Sequence, residues 1–128
     1  MPIHALDLIL LPGTFAVCKL RADAPIPGWA TAGASFSITR TADELSIVCE
    51  ESLVPDGAMC ERQWRCFRVP GTMPFSMVGV LASLVQPLAA AGISVFAIST
   101  FDTDYVLVKV ADLKNAQQAL RQAGHSFQ

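Results

Sequence analysis

Thr100, Phe101, Asp102, Thr103 and Asp104 put two carboxylates, two hydroxyls and an aromatic ring into five consecutive positions. Carboxylates backed by hydroxyls suit an ammonium group, because hydrogen bonds to a charged partner are the strong ones. Gly71 and Thr72 stand in the loop before a helical pattern and Ser76 at its start, and the unpaired N–H groups of a helix N-terminus suit a carboxylate. Held together, the two groups would bind a zwitterion such as a free amino acid. A plainer reading covers the same residues. Asp and Thr in a short turn bond their own backbone, Phe101 can cover a sheet edge, and Gly71 can be present for a positive φ.

Other chemistry is weakly signalled. His4 and His125 lie near the two ends without a motif partner and read as exposed or terminal residues. There is no phosphate-binding glycine loop, and Ser76 and Ser83 lack the setting of a catalytic nucleophile. Cys18, Cys49, Cys60 and Cys66 form no C-x-x-C pair and have no histidine nearby, so free thiols in a reducing compartment are expected. No catalytic residue, metal or cofactor is expected. The 9 basic and 11 acidic residues give a net charge of −2 without a basic stripe, which argues against nucleic acid and against an anionic membrane surface. Hydrophobic residues make up 52% of the chain, yet no apolar run approaches the ~18 residues of a spanning helix. A cytoplasmic protein follows, and the surplus of apolar surface points to an oligomer.

The elements that must position the acidic turn are two apolar runs, residues 94–100 and 105–109, joined by residues 101–104 as a hairpin turn. Sixty positions earlier, FSITRTADELSIV aligns without a gap on FAISTFDTDYVLV, so the chain is expected to hold two copies of one unit. Before the first copy, residues 5–11 and 15–20 read as an antiparallel hairpin around Pro12-Gly13, and residues 21–34 as a loop with a single turn near Trp29. The turn of the first copy, Arg40 to Glu44, reads as solvated charge. Residues 50–63 read as the connection between the halves.

Residues 64–69 alternate as a strand, and a helical pattern follows from Phe75, with Met77, Leu81, Leu84, Val85 and Leu88 on one face. Pro87 predicts a kink and Gly92 a stop. After the second hairpin, Asp112 can cap a helix carrying Leu113, Ala116 and Leu120, and residues 126–128 allow a strand stub. The resulting βαββαβ order is the ferredoxin-like one. That topology sets the loop at Gly71 and the turn before Asp104 on one edge of the sheet.

The stretch FSMVGVLASLVQPLAAAGISVFAISTFDTDYVLVK resembles ACT-domain proteins of the small bacterial tandem type and is similar to CASTOR-type arginine sensors. The likeness is carried more faintly by FSITRTADELSIVC in the first half. It implies an α+β fold of two ferredoxin-like ACT units side by side, the first, residues 1–62, trimmed of its long helix and the second spanning residues 63–128. It also implies a regulatory, non-catalytic protein that binds an amino acid at a unit interface and forms a dimer or contacts a protein partner. In those sensors a Thr-Phe pair and an acid three residues on belong to the ligand site; the matching residues are Thr100, Phe101 and Asp104, and Gly79 matches as well. The sensors carry acids in the first helical turn where this chain has Ser76 and Met77, so the implied ligand is smaller or less basic than arginine. The rival expectation is a structural dimerisation module without a ligand.

Overall fold

The protein, described by a computed structural model over residues 5–72 and 78–128, divides into two compact units whose boundary falls inside a strand, between Trp64 and Arg65. In chain order the elements are β1 (Asp7–Leu10), β2 (Phe15–Leu20), β3 (Phe36–Arg40), β4 (Leu45–Glu50), β5 (Cys60–Arg68), α1 (Val80–Ala90), β6 (Val95–Ser99), β7 (Asp104–Lys109), α2 (Leu113–Gln122) and β8 (Ser126–Phe127). Short 3-10 turns at Gly28–Thr31, Glu51–Leu53 and Val110–Asp112 complete the chain. The fold is mixed α/β.

One unit is Gly13–Trp64. Its strands lie in the order β3, β4, β2 and the first part of β5, all antiparallel. Ala16, Cys18, Leu45, Ile47 and Cys49 alternate along β2 and β4 to line one face, and Ala30 and Val54 close over it. Between Phe15↔Trp64 and Val17↔Glu61 the β5 side holds one residue more than β2, a bulge in which Gln63 takes φ 66°. The Glu51 carboxylate holds that bulge, accepting the Gln63 amide at 2.9 Å and its side-chain amide at 3.0 Å. Arg40, expected to be solvated, donates to the Ala22 and Ala24 carbonyls and pins the loop before β3.

The other unit is Arg65–Gln128 with the segment ending at Pro12. Its sheet runs β8, β1, the rest of β5, β7 and β6. The expected βαββαβ order is present, with β7 between β5 and β6. The first hairpin is not: β1 pairs antiparallel with β5 and parallel with β8, inserted between the first and last strands of that order. Leu8 is fully buried there, in a core with Phe67, Val69, Val106 and Val108. A two-residue β8 offers little ladder of its own, and β1 supplies the backbone groups that β5 and β8 both lack. The compact units part after Pro12 and after Trp64, whereas the sequence places one boundary, between residues 62 and 63, with the first strand in the N-terminal half.

Two helices cover the sheet. The buried stripe of α1 is Val80, Leu84 and Leu88, at spacings of four, with Leu81 and not Val85 packed beside it. The expected start at Phe75, and Met77 with it, lies outside the described residues. Ala116 and Leu120 are the buried face of α2. Asp112 occupies its N-cap position but makes no side-chain capping bond, because a 3-10 turn already leads into the helix.

The helix α1 runs through Pro87, whose ring nitrogen cannot donate to the Ser83 carbonyl one turn earlier. His125 makes up that loss. It is buried, not terminal and exposed as expected: Nε2 donates to the Ser83 carbonyl at 2.9 Å, and Nδ1 accepts the Leu6 amide at 3.2 Å. A carbonyl only accepts and an amide N–H only donates, so the ring is the Nε2–H tautomer.

Candidate functional site

The edge of the second unit begins with a turn. β6 and β7 pair from Val95↔Val108 to Ser99↔Asp104, so the turn is Thr100 to Thr103, and Asp104 is already on the strand. In the other unit β3 and β4 pair from Phe36↔Cys49 to Arg40↔Leu45, which leaves Thr41 to Glu44 as the turn. The two turns share one design. The first residue is a threonine whose amide donates to the carbonyl of the fourth, at 2.9 Å for Thr41 to Glu44 and 2.8 Å for Thr100 to Thr103. Each threonine Oγ1 then accepts the amide of the fourth residue, at 3.2 Å and 3.3 Å. The equivalent positions are one residue out of step with the gapless alignment, which had made the turn residues 101–104.

This turn is tied to the end of β5. The Thr103 hydroxyl, buried, donates to the Val69 carbonyl at 2.7 Å, and the Val69 amide donates to the Asp104 carbonyl at 3.1 Å. Gly71 follows two residues later with φ 79°, in the left-handed region, and a Cβ there would meet nothing within 4 Å. Its requirement is therefore conformational. Thr72 is exposed beside it. Thr100, Phe101, Asp104, Gly71 and Thr72 thus share one edge, as the topology required. Ser76 lies outside the described residues.

Asp104 belongs with Val106 and Val108 by strand parity, so it faces the helix-covered side of the sheet, where both valines are buried. Ser99, its cross-strand partner, donates its hydroxyl to Asp104 Oδ1 at 2.6 Å. The helix α1 ends near the start of β6, with the Ile93 amide on the Leu88 carbonyl. Its 11 residues run about 16 Å at ~1.5 Å per residue. That direction carries the N-terminus of α1 toward the Asp104 edge. Gly79 is the N-cap, with φ 85° in the left-handed region, and as a glycine it brings no side chain to the first-turn amides of α1.

Of the residues singled out in the sequence, Thr100 has its hydroxyl engaged by its own turn, donating to the Thr103 carbonyl at 3.1 Å as well as accepting from its amide. Phe101 is 77% exposed. Two participants had been missed. Thr103 was read as one more turn hydroxyl, and its bond to Val69 depends on a residue 34 positions earlier in the chain, which no local pattern connects to it. Ser99 could have been found from the four-residue turn length, which sets it opposite Asp104.

The ACT domain family model matches residues 59–122, and a second model, of an N-terminal domain, matches residues 13–57. The human protein CASTOR3P is 30% identical over 91 residues, covering 61% of this chain and 56% of its own length, so the chain spans about half of that relative. The crystal structure of protein Atu0741 from Agobacterium tumefaciens superposes with a TM-score of 0.92 at 39% identity, covering 98% of this chain and 93% of that one. The regulatory subunit of aspartate kinase from Thermus thermophilus, ligand-free, superposes at 0.62 with 13% identity, over 94% of this chain and 99% of that one, and shows likeness of fold. Among the described residues no helix is long and apolar enough to cross a membrane, and no group of His, Cys, Asp and Glu could hold a metal ion.

Proposed function

The chain belongs to the ACT-domain family, and on that premise we propose that it is a regulatory, non-catalytic protein that binds a small amino acid at the Asp104 edge. The observation that carries this reading is the Asp104 carboxylate, held by Ser99 at 2.6 Å on the helix-covered side of the sheet, with the Gly79 end of α1 directed toward the same edge. Asp104, through its second oxygen, takes the ammonium of the ligand. The amides from Gly71 to Thr72 and at the start of α1 take the carboxylate. Thr100 contributes backbone and shape, since its hydroxyl is spent on the turn. Phe101 lies over the ligand, and Ser76, placed by the sequence in the segment between Thr72 and Gly79, completes the anion side.

In this reading Gly13–Trp64 is a trimmed second ACT unit in tandem with the first, its loop with the 3-10 turn at Gly28–Thr31 standing where a helix would be. Ligand binding acts through assembly, with a homodimer or a protein partner responding to the amino acid in the cytoplasm. The absence of an acid at Ser76 and Met77 favours a ligand without a long cationic side chain. A screen of the twenty amino acids by thermal shift tests the proposal: a ligand at 100 times its Kd stabilises by about 2.7 kcal/mol, and Asp104→Asn should abolish the shift. If none of the twenty at millimolar concentration moves the melting temperature, or if Asp104→Asn leaves the shift intact, the reading fails.

A second reading has one observation behind it. Val78 and Phe101 are 81% and 77% exposed, large apolar groups at this same end of the unit. Such residues suit a partner surface, and a module that only assembles would keep them and answer to no amino acid.

A further inference from the structure

Three of the four thiols sit in or against one core, that of Gly13–Trp64, and strand register separates them. Cys18 and Cys60 are directly opposite each other on β2 and β5. The Lys19 amide donates to the Met59 carbonyl at 3.0 Å, a bond that flanks the pair and makes it a non-hydrogen-bonded one. Opposite residues of that kind have Cα atoms about 4.5 Å apart and side chains close together, inside the ~4.4–6.8 Å that a disulfide spans.

Cys49 is placed differently. It pairs with Ala16, whereas Cys18 pairs with Ile47, so Cys49 and Cys18 are diagonal neighbours on adjacent strands. Diagonal neighbours stand about 7–8 Å apart, too far for the ~3.5–4.5 Å between Cβ atoms that a disulfide needs. The register therefore selects one pair. We propose that Cys18 and Cys60 are a reversible dithiol–disulfide pair that exchanges with small soluble disulfides.

Cys60 is the point of entry, half-buried at the start of β5, next to Met59, which is 71% exposed. Its thiolate attacks one sulfur of the small disulfide; that S–S bond breaks, one small thiolate leaves and is protonated, and a mixed disulfide remains on Cys60. The Cys18 sulfur then attacks the Cys60 sulfur. The mixed bond breaks, and the second small thiolate departs with the proton that Cys18 gives up. Two protein thiols are oxidised and one small disulfide is reduced to two thiols. The second step is the slow one: in the dithiol form the Cys18 thiol is pushed up to about 12, chiefly by burial, and that burial persists in the mixed disulfide and leaves little thiolate to attack.

The full chain incubated natively with oxidised glutathione, quenched in acid and cut with trypsin and a Glu-specific protease separates the thiols, since cleavage after Lys19, Glu50 and Glu61 puts Cys18, Cys49 and Cys60 on different peptides. A transient glutathione adduct on Cys60 should give way to a Cys18–Cys60 linked peptide that dithiothreitol reverses. Cys18→Ala should keep the adduct on Cys60 and form no bridge. Because that variant changes the core, Cys49→Ala is the second test, and it must still form the bridge. An adduct on Cys60 that never resolves in the natural chain, a bridge through Cys49 or Cys66, or no reaction in the native state would overturn the proposal.

Discussion

Removing the His125 ring is the most informative perturbation of the fold, because it strips partners from two part-buried backbone groups at once. Ser83 carbonyl and Leu6 amide each lose a hydrogen bond, of 2.9 Å and 3.2 Å. A polar group left unsatisfied away from water costs about 1–3 kcal/mol, so His125→Ala, which orphans two, should cost about 2–6 kcal/mol, a large share of the ~5–15 kcal/mol of a typical domain. The dependence on Pro87 makes the account testable. In a Pro87→Ala background the residue at 87 regains an N–H and can donate to the Ser83 carbonyl, so His125→Ala there should cost only the Leu6 share, about 1–3 kcal/mol. Urea unfolding of the natural chain, both single variants and the double variant closes the cycle. A coupling of about 1–3 kcal/mol, the Ser83 share, is expected; additivity within ~0.5 kcal/mol would show that His125 does not substitute for the helix bond. The nitrogen spectrum of the ring should report the Nε2–H tautomer in the natural chain.

Two further outcomes follow from local geometry. Burial raises the Glu51 carboxyl, but the backbone and side-chain bonds from Gln63, with Thr14 and Arg62, outweigh it and hold it below the ordinary value. A carboxyl held lower in the folded than in the unfolded chain contributes fully above the unfolded pKa of about 4.3 and loses that contribution as pH falls through the folded value. The stability advantage of the natural chain over Glu51→Gln should therefore be intact near neutrality and shrink steadily below that point; an advantage independent of pH would contradict the role given to the bulge. At Gly33 a Cβ would fall against the Glu50 carboxylate and 3.0 Å from Leu53 Cδ1, and Glu50 accepts the Ala34 amide at 2.8 Å. Gly33→Ala should cost about 1–2 kcal/mol, whereas Gly57→Ala, with nothing within 4 Å of its Cβ and no positive φ, should be neutral or stabilise by about 0.4–1 kcal/mol; thermal melts of the two variants decide.

What the sequence alone determined is the set of elements and the edge on which the acidic turn sits. Alternation along residues 94–109 and the four-residue spacing of Leu84 and Leu88 are local signals, because side-chain direction repeats every two residues in a strand and nearly every four in a helix. The βαββαβ order then brought the Gly71 loop beside Asp104, and Val69 is bonded to Thr103 and Asp104 there. The tertiary structure decided what depends on backbone groups left over from other elements. β1 joined β5 and β8 because both had open edges, which no pattern within residues 5–20 reveals. His125 was drawn into the core because Pro87, far away in sequence, leaves the Ser83 carbonyl without its helical donor. Ser99 reached Asp104, and Cys18 reached Cys60 while Cys49 did not, through register, which a shift of a single residue would reverse.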